Sequence, residues 1–401
     1  MKIAIVEPVN HIQNLKRAKE IKKSVSIFGF VDLLCAFDEN VVDSSLKHPI
    51  RYLSLIPRLL FGKYDVVHFM NIYPLYPSML KLLTLGKTKC IYDISNYQTG
   101  IQITLGRPRI LILITRFLER LFLNGSDSLV ACGIGFDQFI NELSVKQKFT
   151  YFVPDPIDIK KYDPALALSF KERVKLANVE ALSDENHNFV LAYLSTFVSI
   201  KINDEYLPRG WELIYSIERI NKLHGIKIKV FFMGKGDALN NLKRIAQERG
   251  VLDQCYFFGF VQDEKLGLLL TLCNLGFMED YDTLGYKFTV GSKIQEYMAA
   301  GLPVLTGNSK EKTYMLRDQR LEFLLYSPPS ISEQASIDLY ISTLAEAIFL
   351  SFKNTDMLKE AGKRNRIRAG RIFSDELVQK YIINLYSHLT SAHNFERGIT
   401  V

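Results

Sequence analysis

The strongest constraint on this chain is an alternation. Short apolar runs, each long enough for one buried strand, are separated by stretches with helical periodicity. In the first part of the chain the runs are KIAIVEP, SVSIFGF, YDVVHFM, TKCIYDI, DSLVAC and KFTYFVP, with helices expected over 49–62, 77–85, 108–124 and 136–143. Strands buried on both faces and joined through helices make parallel sheets with right-handed crossovers. The pattern breaks at PDPIDIKKYDP and at the polar VEALSDENHN. It then restarts with FVLAYLS, IKIKVFFMG, QCYFFGF, LGFM and LPVLTG, separated by helices over 211–223, 237–249 and 263–273 and one from Ser292. The chain is therefore expected to be α/β: two doubly wound parallel-sheet, Rossmann-like domains facing across a cleft. The first spans 1–160, a linker spans 161–187, and the second domain spans 188–370. A helical segment, 371–401, could cross back to the first domain. Ligands of such sheets bind beyond the carboxyl ends of the strands, so the residues just after strands are the candidates.

Composition narrows the partners. The chain carries 50 Lys and Arg against 43 Asp and Glu, a net charge of +7, which suits an anionic partner such as a nucleotide diphosphate or a membrane surface. Five cysteines without paired spacing and seven histidines without ligand spacing point to a reducing compartment, with neither a disulfide frame nor a metal site. The opening MKIAIVEP, cut by Glu7 and Pro8, reads as a strand rather than a leader. RPRILILITRFLERLFLNG is interrupted by Arg116, Glu119 and Arg120. It is either a buried amphipathic helix or a basic apolar surface resting on a membrane.

Two post-strand segments carry chemistry. In KVFFMGKGDALNN, Gly234 and Gly236 flank Lys235 and Asp237 is placed to cap the next helix. Such a turn lets backbone approach an anion at a helix start, although a plain tight turn needs the same glycines. In GSKIQEYMAAGLPV, Ser292 and Gln295 match a capping box and Gly301 with Pro303 ends the helix. Lys293 opposes the dipole at that end, a conflict that a bound anion would relieve. Glu296, one turn on, can accept two hydrogen bonds from a diol. A solvated Lys293 and a Glu296 that only complements the dipole are the plainer alternatives. His68, inside an apolar strand, reads as a core histidine, and His11 is a weak candidate.

VFFMGKGDALNNLKRIAQERG, FFGFVQDEKLGLLLTLCNLGF and SKIQEYMAAGLPVL, in this order and spacing, resemble the donor domain of the family 4 glycosyltransferases, which have the GT-B fold. PRGWELIYSIERI is similar to that family's Lys-Gly stretch, with Arg209 at the lysine place. FVPDPIDIKKYDP is similar to its V-x-N-G-x-D-x-x-x-F-x-P exit, and YDVVHFM to its D-V-V-H. The resemblance implies a hexosyltransferase-like enzyme that moves a sugar from a nucleotide-sugar donor to a glycan or lipid-linked saccharide, with retention and with no metal or cofactor. The first domain would bind the acceptor and the second the donor. Arg209 and Lys293 would stabilise the leaving diphosphate, Glu296 would hold the ribose, and the main chain at Val261 would meet the base. Gly234, Lys235, Gly236, Thr289, Gly291 and Ser292 would line the donor. Asp93, just after a strand, would bind the donor sugar or act as base toward the acceptor; a turn-capping role is the alternative. The basic apolar helices would rest on the inner face of a membrane in the cytoplasm, and nucleic acid is not implied.

The pattern is incomplete. Phe288 stands where an acid is usual, so the sugar contact would pass to Tyr286, Lys287, Thr289, Val290 or Gly291. Ser195–Thr196 replaces a Gly-Arg pair, with Lys201 the candidate substitute cation, and VEPVNHIQN lacks a glycine-rich acceptor loop. A non-catalytic GT-B subunit that binds a nucleotide sugar or a partner transferase is therefore the second reading. A sugar-nucleotide epimerase, the third, would need cleft acids and histidines that the sequence does not supply.

Overall fold

The structure is a computed structural model, and it describes residues 1–7, 12–35, 53–94, 97–133, 136, 140, 150–179, 182, 189–283 and 291–390. The chain divides into two compact units, one of residues 1–103, 107–156 and 375–401 and one of residues 157–374 with 104–106.

The first unit holds six parallel strands: β1 (Lys2–Glu7), β2 (Phe30–Cys35), β3 (Val66–Phe69), β4 (Lys89–Ile94), β5 (Ser128–Ala131) and β6 (Thr150–Phe152). Their order is β2-β1-β3-β4-β5-β6. Ile3, Ala4, Ile5 and Val6 are all fully buried, as a central parallel strand covered on both faces requires. The strand expected at SVSIFGF is instead the end of a helix, Ile12–Val25, and a 3-10 turn, Ser26–Phe28, with β2 following. Ala18, Ile21 and Val25 explain this: they recur at helical spacing and pack in the same core as Val378, Ile382, Leu385 and Tyr386 of the Asp375–Thr390 helix.

Arg17 ties this core together. It is buried, and it donates to Asp93 from Nε (2.9 Å) and Nη2 (3.2 Å), to Val153 O and Pro154 O, and to Asp155 Oδ1 at 3.0 Å. His68 lies 3.3 Å from Asp93 through Nε2 and 2.8 Å from the Tyr386 hydroxyl through Nδ1. Burial alone would push the Asp93 carboxyl up, but Arg17 and His68 hold it below its ordinary range.

The amphipathic segment is a helix, Arg109–Gly125, with Phe122 and Leu123 inside. Glu119, which interrupts its apolar pattern, faces inward and accepts from the N–H groups of Gln98 (2.7 Å) and Thr99 (3.2 Å) and from the Thr99 hydroxyl. It thereby satisfies donors at the start of the Gln98–Thr104 helix. Burial pushes its carboxyl up to about 7 against the pull of those bonds.

The second unit repeats the plan with β7 (Val190–Leu194), β10 (Lys229–Met233), β11 (Cys255–Gly259), β12 (Leu275–Phe277), β13 (Val304–Gly307) and β14 (Leu325–Tyr326). These are parallel in the order β11-β10-β7-β12-β13-β14. An antiparallel hairpin, β8 (Ser199–Ile202) with β9 (Glu205–Pro208), lies between β7 and the Trp211–His224 helix. By length and composition the Gln334–Lys353 helix is apolar enough to cross a membrane. In this fold Ile337, Tyr340, Leu344 and Ile348 are buried in the second unit's core with Ile214 and Ile217 of the Trp211–His224 helix.

Replacing Arg17 by Met would leave the Asp93 carboxylate buried without its main partner. A loss of about 3–5 kcal/mol is expected in denaturant unfolding, with much of it recovered in the Arg17→Met/Asp93→Leu double variant. Additive losses in the double variant would contradict a coupled pair.

Candidate active site

In the second sheet the chain runs outward from β7 in one direction through β10 and β11, and in the other through β12 to β14. The carboxyl ends of β7 and β12 are therefore the topological switch point, where open α/β sheets take their ligands. The Ser292–Ala299 helix is fastened there by one side chain. The Tyr297 hydroxyl donates to Phe277 O at 3.0 Å and accepts from Leu194 N at 2.8 Å. Gly276 makes room for the ring, since a Cβ there would lie 2.5 Å from it.

That anchoring sets Lys293 in a charged cluster. Its Nζ donates to both oxygens of Glu279, at 3.3 and 3.2 Å, and lies 5.3 Å from the Tyr193 ring centre. Arg209 Nε is 3.6 Å from Glu279 Oε1. Glu279 lies two residues beyond the end of β12 and is buried. Burial would raise its carboxyl, yet Lys293 and Arg209 hold it below its ordinary range. Lys293 is lowered by burial and by Arg209, against the opposing effect of Glu279. Glu212, buried in the first turn of the Trp211–His224 helix, is pushed up to about 8, first by burial and then by Glu279. At neutral pH it is protonated. Two cations then face one carboxylate, and the cluster keeps a net positive charge suited to an anion. Asp280, the next residue, pairs instead with the buried Lys312 at 2.5 Å.

Glu296 lies one turn beyond Lys293 and has different partners. Its Oε2 is 2.8 Å from Lys161 Nζ and accepts from the Tyr162 hydroxyl. Arg366 braces that arrangement by donating to Ala299 O, to Ile159 O at 3.3 Å and to Asp163.

Of the residues expected at the site, the structure joins Arg209 and Lys293 directly through Glu279 and puts Glu296 on the same helix as Lys293. Gly234, Lys235 and Gly236 follow β10, the neighbour of β7. Their glycines have a structural cause: a Cβ at Gly234 would lie 1.8 Å from Ser195 O and one at Gly236 would lie 2.0 Å from Phe197 O. The two post-strand loops are laced together by Ser195 N to Met233 O, Phe197 N to Lys235 O and Ala238 N to Phe197 O, each 3.0 Å. Val261 follows β11, the outermost strand on that side, and Lys235 Nζ stands 5.6 Å from the Phe260 ring centre.

Two caps differ from expectation. The Ser292–Ala299 helix takes Gly291 as its N-cap with no side-chain cap hydrogen bond, so Ser292 is already inside the helix and the capping box is not formed. A Cβ at Gly291 would lie 2.4 Å from Met278 Cε, the end of a flexible side chain. The Leu239–Glu248 helix is preceded by Ala238 rather than capped by Asp237, because the lacing to Phe197 O sets its start. Lys201 pairs with Asp204 at 2.7 Å on the exposed hairpin. Asp93 sits in the first unit with both oxygens bonded and its side chain buried, which makes it a poor proton acceptor and an anchor for Arg17. His11, Phe288 and Thr289 lie outside the described residues.

The residues missed in the sequence are Glu279, Glu212, Lys161 and Tyr162. Glu279 had one signal, its place directly after the apolar run LGFM. Tyr162 had another, a hydroxyl where the exit motif has Phe.

Residues 212–346 match the family model described as Glycosyl transferases group 1. The matched segment lies within the second unit. No curated protein matched the sequence, but solved structures share the whole GT-B fold. Sucrose-phosphate synthase from Thermosynechococcus elongatus is 14% identical with a TM-score of 0.68, covering 98% of this chain and 100% of its own. Anabaena HepE in complex with UDP-glucose is 13% identical with a TM-score of 0.67, over 96% and 99%. WaaG, a glycosyltransferase involved in lipopolysaccharide biosynthesis, is 15% identical with a TM-score of 0.65, over 95% and 98%. The charged cluster beyond β12 thus lies inside or beside the matched segment.

Glu212 keeps its proton to about pH 8 in the folded chain against an ordinary value of 4.5, so it removes stability progressively as pH rises between those values. Glu212→Gln is expected to melt at an increasingly higher temperature than the parent as pH goes from about 5 to about 8.5. A pH-independent difference would mean that Glu212 is ionised in the folded state.

Proposed function

We propose that this protein transfers a sugar from a nucleotide-diphosphate sugar to a glycan or lipid-linked saccharide, with retention at the anomeric carbon, at the cytoplasmic surface of a membrane. The observation that carries the reading is the convergence of Arg209 and Lys293 at the switch point of a group 1 glycosyltransferase domain. As the bond from the anomeric carbon to the phosphate oxygen breaks, negative charge builds on the diphosphate, and fixed cations stabilise it most where water is excluded. Glu279 holds both cations in place before a ligand arrives. In front-side attack the acceptor hydroxyl can pass its proton to the departing phosphate oxygen, so no protein base is required, in keeping with the occupied Asp93. Glu296 is read as the acceptor of ribose hydroxyls, and the Val261 main chain as the contact to the base. The likeness to HepE, solved with UDP-glucose, supports a donor of this class.

The membrane reading rests on the first unit. Helices Leu55–Phe61, Pro77–Leu83 and Arg109–Gly125 pack in sequence. They and the turn after the second leave Phe61 81%, Leu82 75%, Leu85 83%, Ile110 66% and Phe117 61% exposed. Arg58, Arg109, Arg116 and Arg120 are exposed beside them. An apolar face rimmed by arginine suits an anionic bilayer, which gains about 1 kcal/mol from each nearby cation.

Purified protein is expected to hydrolyse one of the UDP-, GDP-, ADP-, CMP- or dTDP-sugars slowly and to melt higher in its presence. Arg209→Ala and Lys293→Ala should each lower turnover about 10²–10³-fold. Binding without turnover would favour a non-catalytic subunit, and neither binding nor turnover would reject the donor site. Co-sedimentation with phosphatidylglycerol vesicles is expected for the parent and reduced in Leu113→Glu/Phe117→Glu. Equal sedimentation of both proteins would reject the bilayer face.

A further inference from the structure

A carboxylate that reads a vicinal diol normally offers one oxygen to each hydroxyl. Glu296 is not free to do so. Its Oε2 forms an ion pair with the Lys161 ammonium at 2.8 Å and accepts a charge-assisted hydrogen bond from the Tyr162 hydroxyl. Its side chain is 21% exposed, and Oε1 has no protein partner among the described residues.

The two donors are themselves fixed. They lie in the 3-10 turn Ile159–Tyr162, whose N-cap Asp158 accepts from Lys160 N at 2.9 Å. Tyr162 is fully buried, and its ring lies 3.6 Å from where a Cβ on Gly267 of the Asp263–Leu270 helix would be. The Lys161 ammonium stands 5.1 Å from the same ring centre. Arg366 fastens the turn and the end of the Ser292–Ala299 helix to one frame through Ile159 O, Asp163 and Ala299 O. Burial first and Glu296 second push the Tyr162 phenol far above its usual range, so it remains a donor at every working pH. Turning Glu296 to offer both oxygens would break an ion pair and a charged hydrogen bond together.

Taking Glu296 as the ribose acceptor read above, we infer that Lys161 and Tyr162 are positioning residues that hold Oε2 and present Oε1 alone, so that the site reads one hydroxyl of the donor ribose rather than the pair. One deoxy form of the nucleotide should then bind almost as well as the parent nucleotide and the other much worse. A carboxylate that bridges both hydroxyls would penalise the two losses alike.

The test is calorimetric titration of the full-length protein with UDP, GDP and ADP, and of whichever binds in its 2′-deoxy and 3′-deoxy forms. The parent protein should lose about tenfold or more in affinity for one deoxy form and under about twofold for the other. Tyr162→Phe and Lys161→Met should bring the two penalties together while each variant melts cooperatively, and Lys161→Arg should restore the asymmetry. With the sugar nucleotide as substrate, the variants should change KM more than kcat. Equal penalties in the parent, or an asymmetry untouched by both Tyr162→Phe and Lys161→Met, would overturn the assignment while leaving the donor reading intact. Failure of all three, and of CMP and dTDP titrated beside them, to bind would overturn the donor reading and this assignment with it.

Discussion

One buried carboxylate, Glu279 at the end of β12, decides whether the candidate site can exist before a ligand arrives. Lys293 and Arg209 are close enough to repel, and both are largely removed from water. Without an anion between them the cost of burial and repulsion would turn one outward. Glu279 supplies that anion. Its position is strict, because the strand behind it is pinned between β7 and β13 by parallel pairing. A second acid, Glu212, could have cancelled the remaining positive charge, but burial beside Glu279 keeps it protonated. The balance is set by packing as much as by composition.

The same frame positions the helix that carries two candidate residues. Tyr297 spans the ends of β7 and β12 and fixes the rotation of the Ser292–Ala299 helix. Lys293 then turns toward Glu279 and Glu296 toward Lys161 and Tyr162. The capping box that seemed to introduce this helix is absent, and Gly291 stands at its N-cap without a side-chain cap bond. The Gly234–Gly236 turn teaches the same lesson. Its glycines are required by the neighbouring loop after β7, and any ligand contact comes in addition.

The first unit has a parallel device of its own. Arg17, Asp93, His68 and Tyr386 connect a helix near the start of the chain, two central strands and the C-terminal helix. This network makes Asp93 an anchor. It also explains why a strand-end acid of the kind that often marks a site is here buried with both oxygens engaged.

The sequence by itself determined the two doubly wound sheets, because apolar runs and helical periodicity are written in near neighbours and each element must bury the face it carries. It also located Lys293 and the glycine turn as post-strand residues, and Arg209 through the family resemblance. It misread SVSIFGF, where period-two alternation competed with the helical spacing of Ala18, Ile21 and Val25. Only the tertiary structure decided the charge partners: Glu279 for Lys293, Arg17 for Asp93 at a separation of 76 residues, and Tyr162 for Glu296 at 134. The reason is physical. Periodicity is local, whereas the state and direction of a buried charge depend on which distant groups folding places beside it and on how much water it removes.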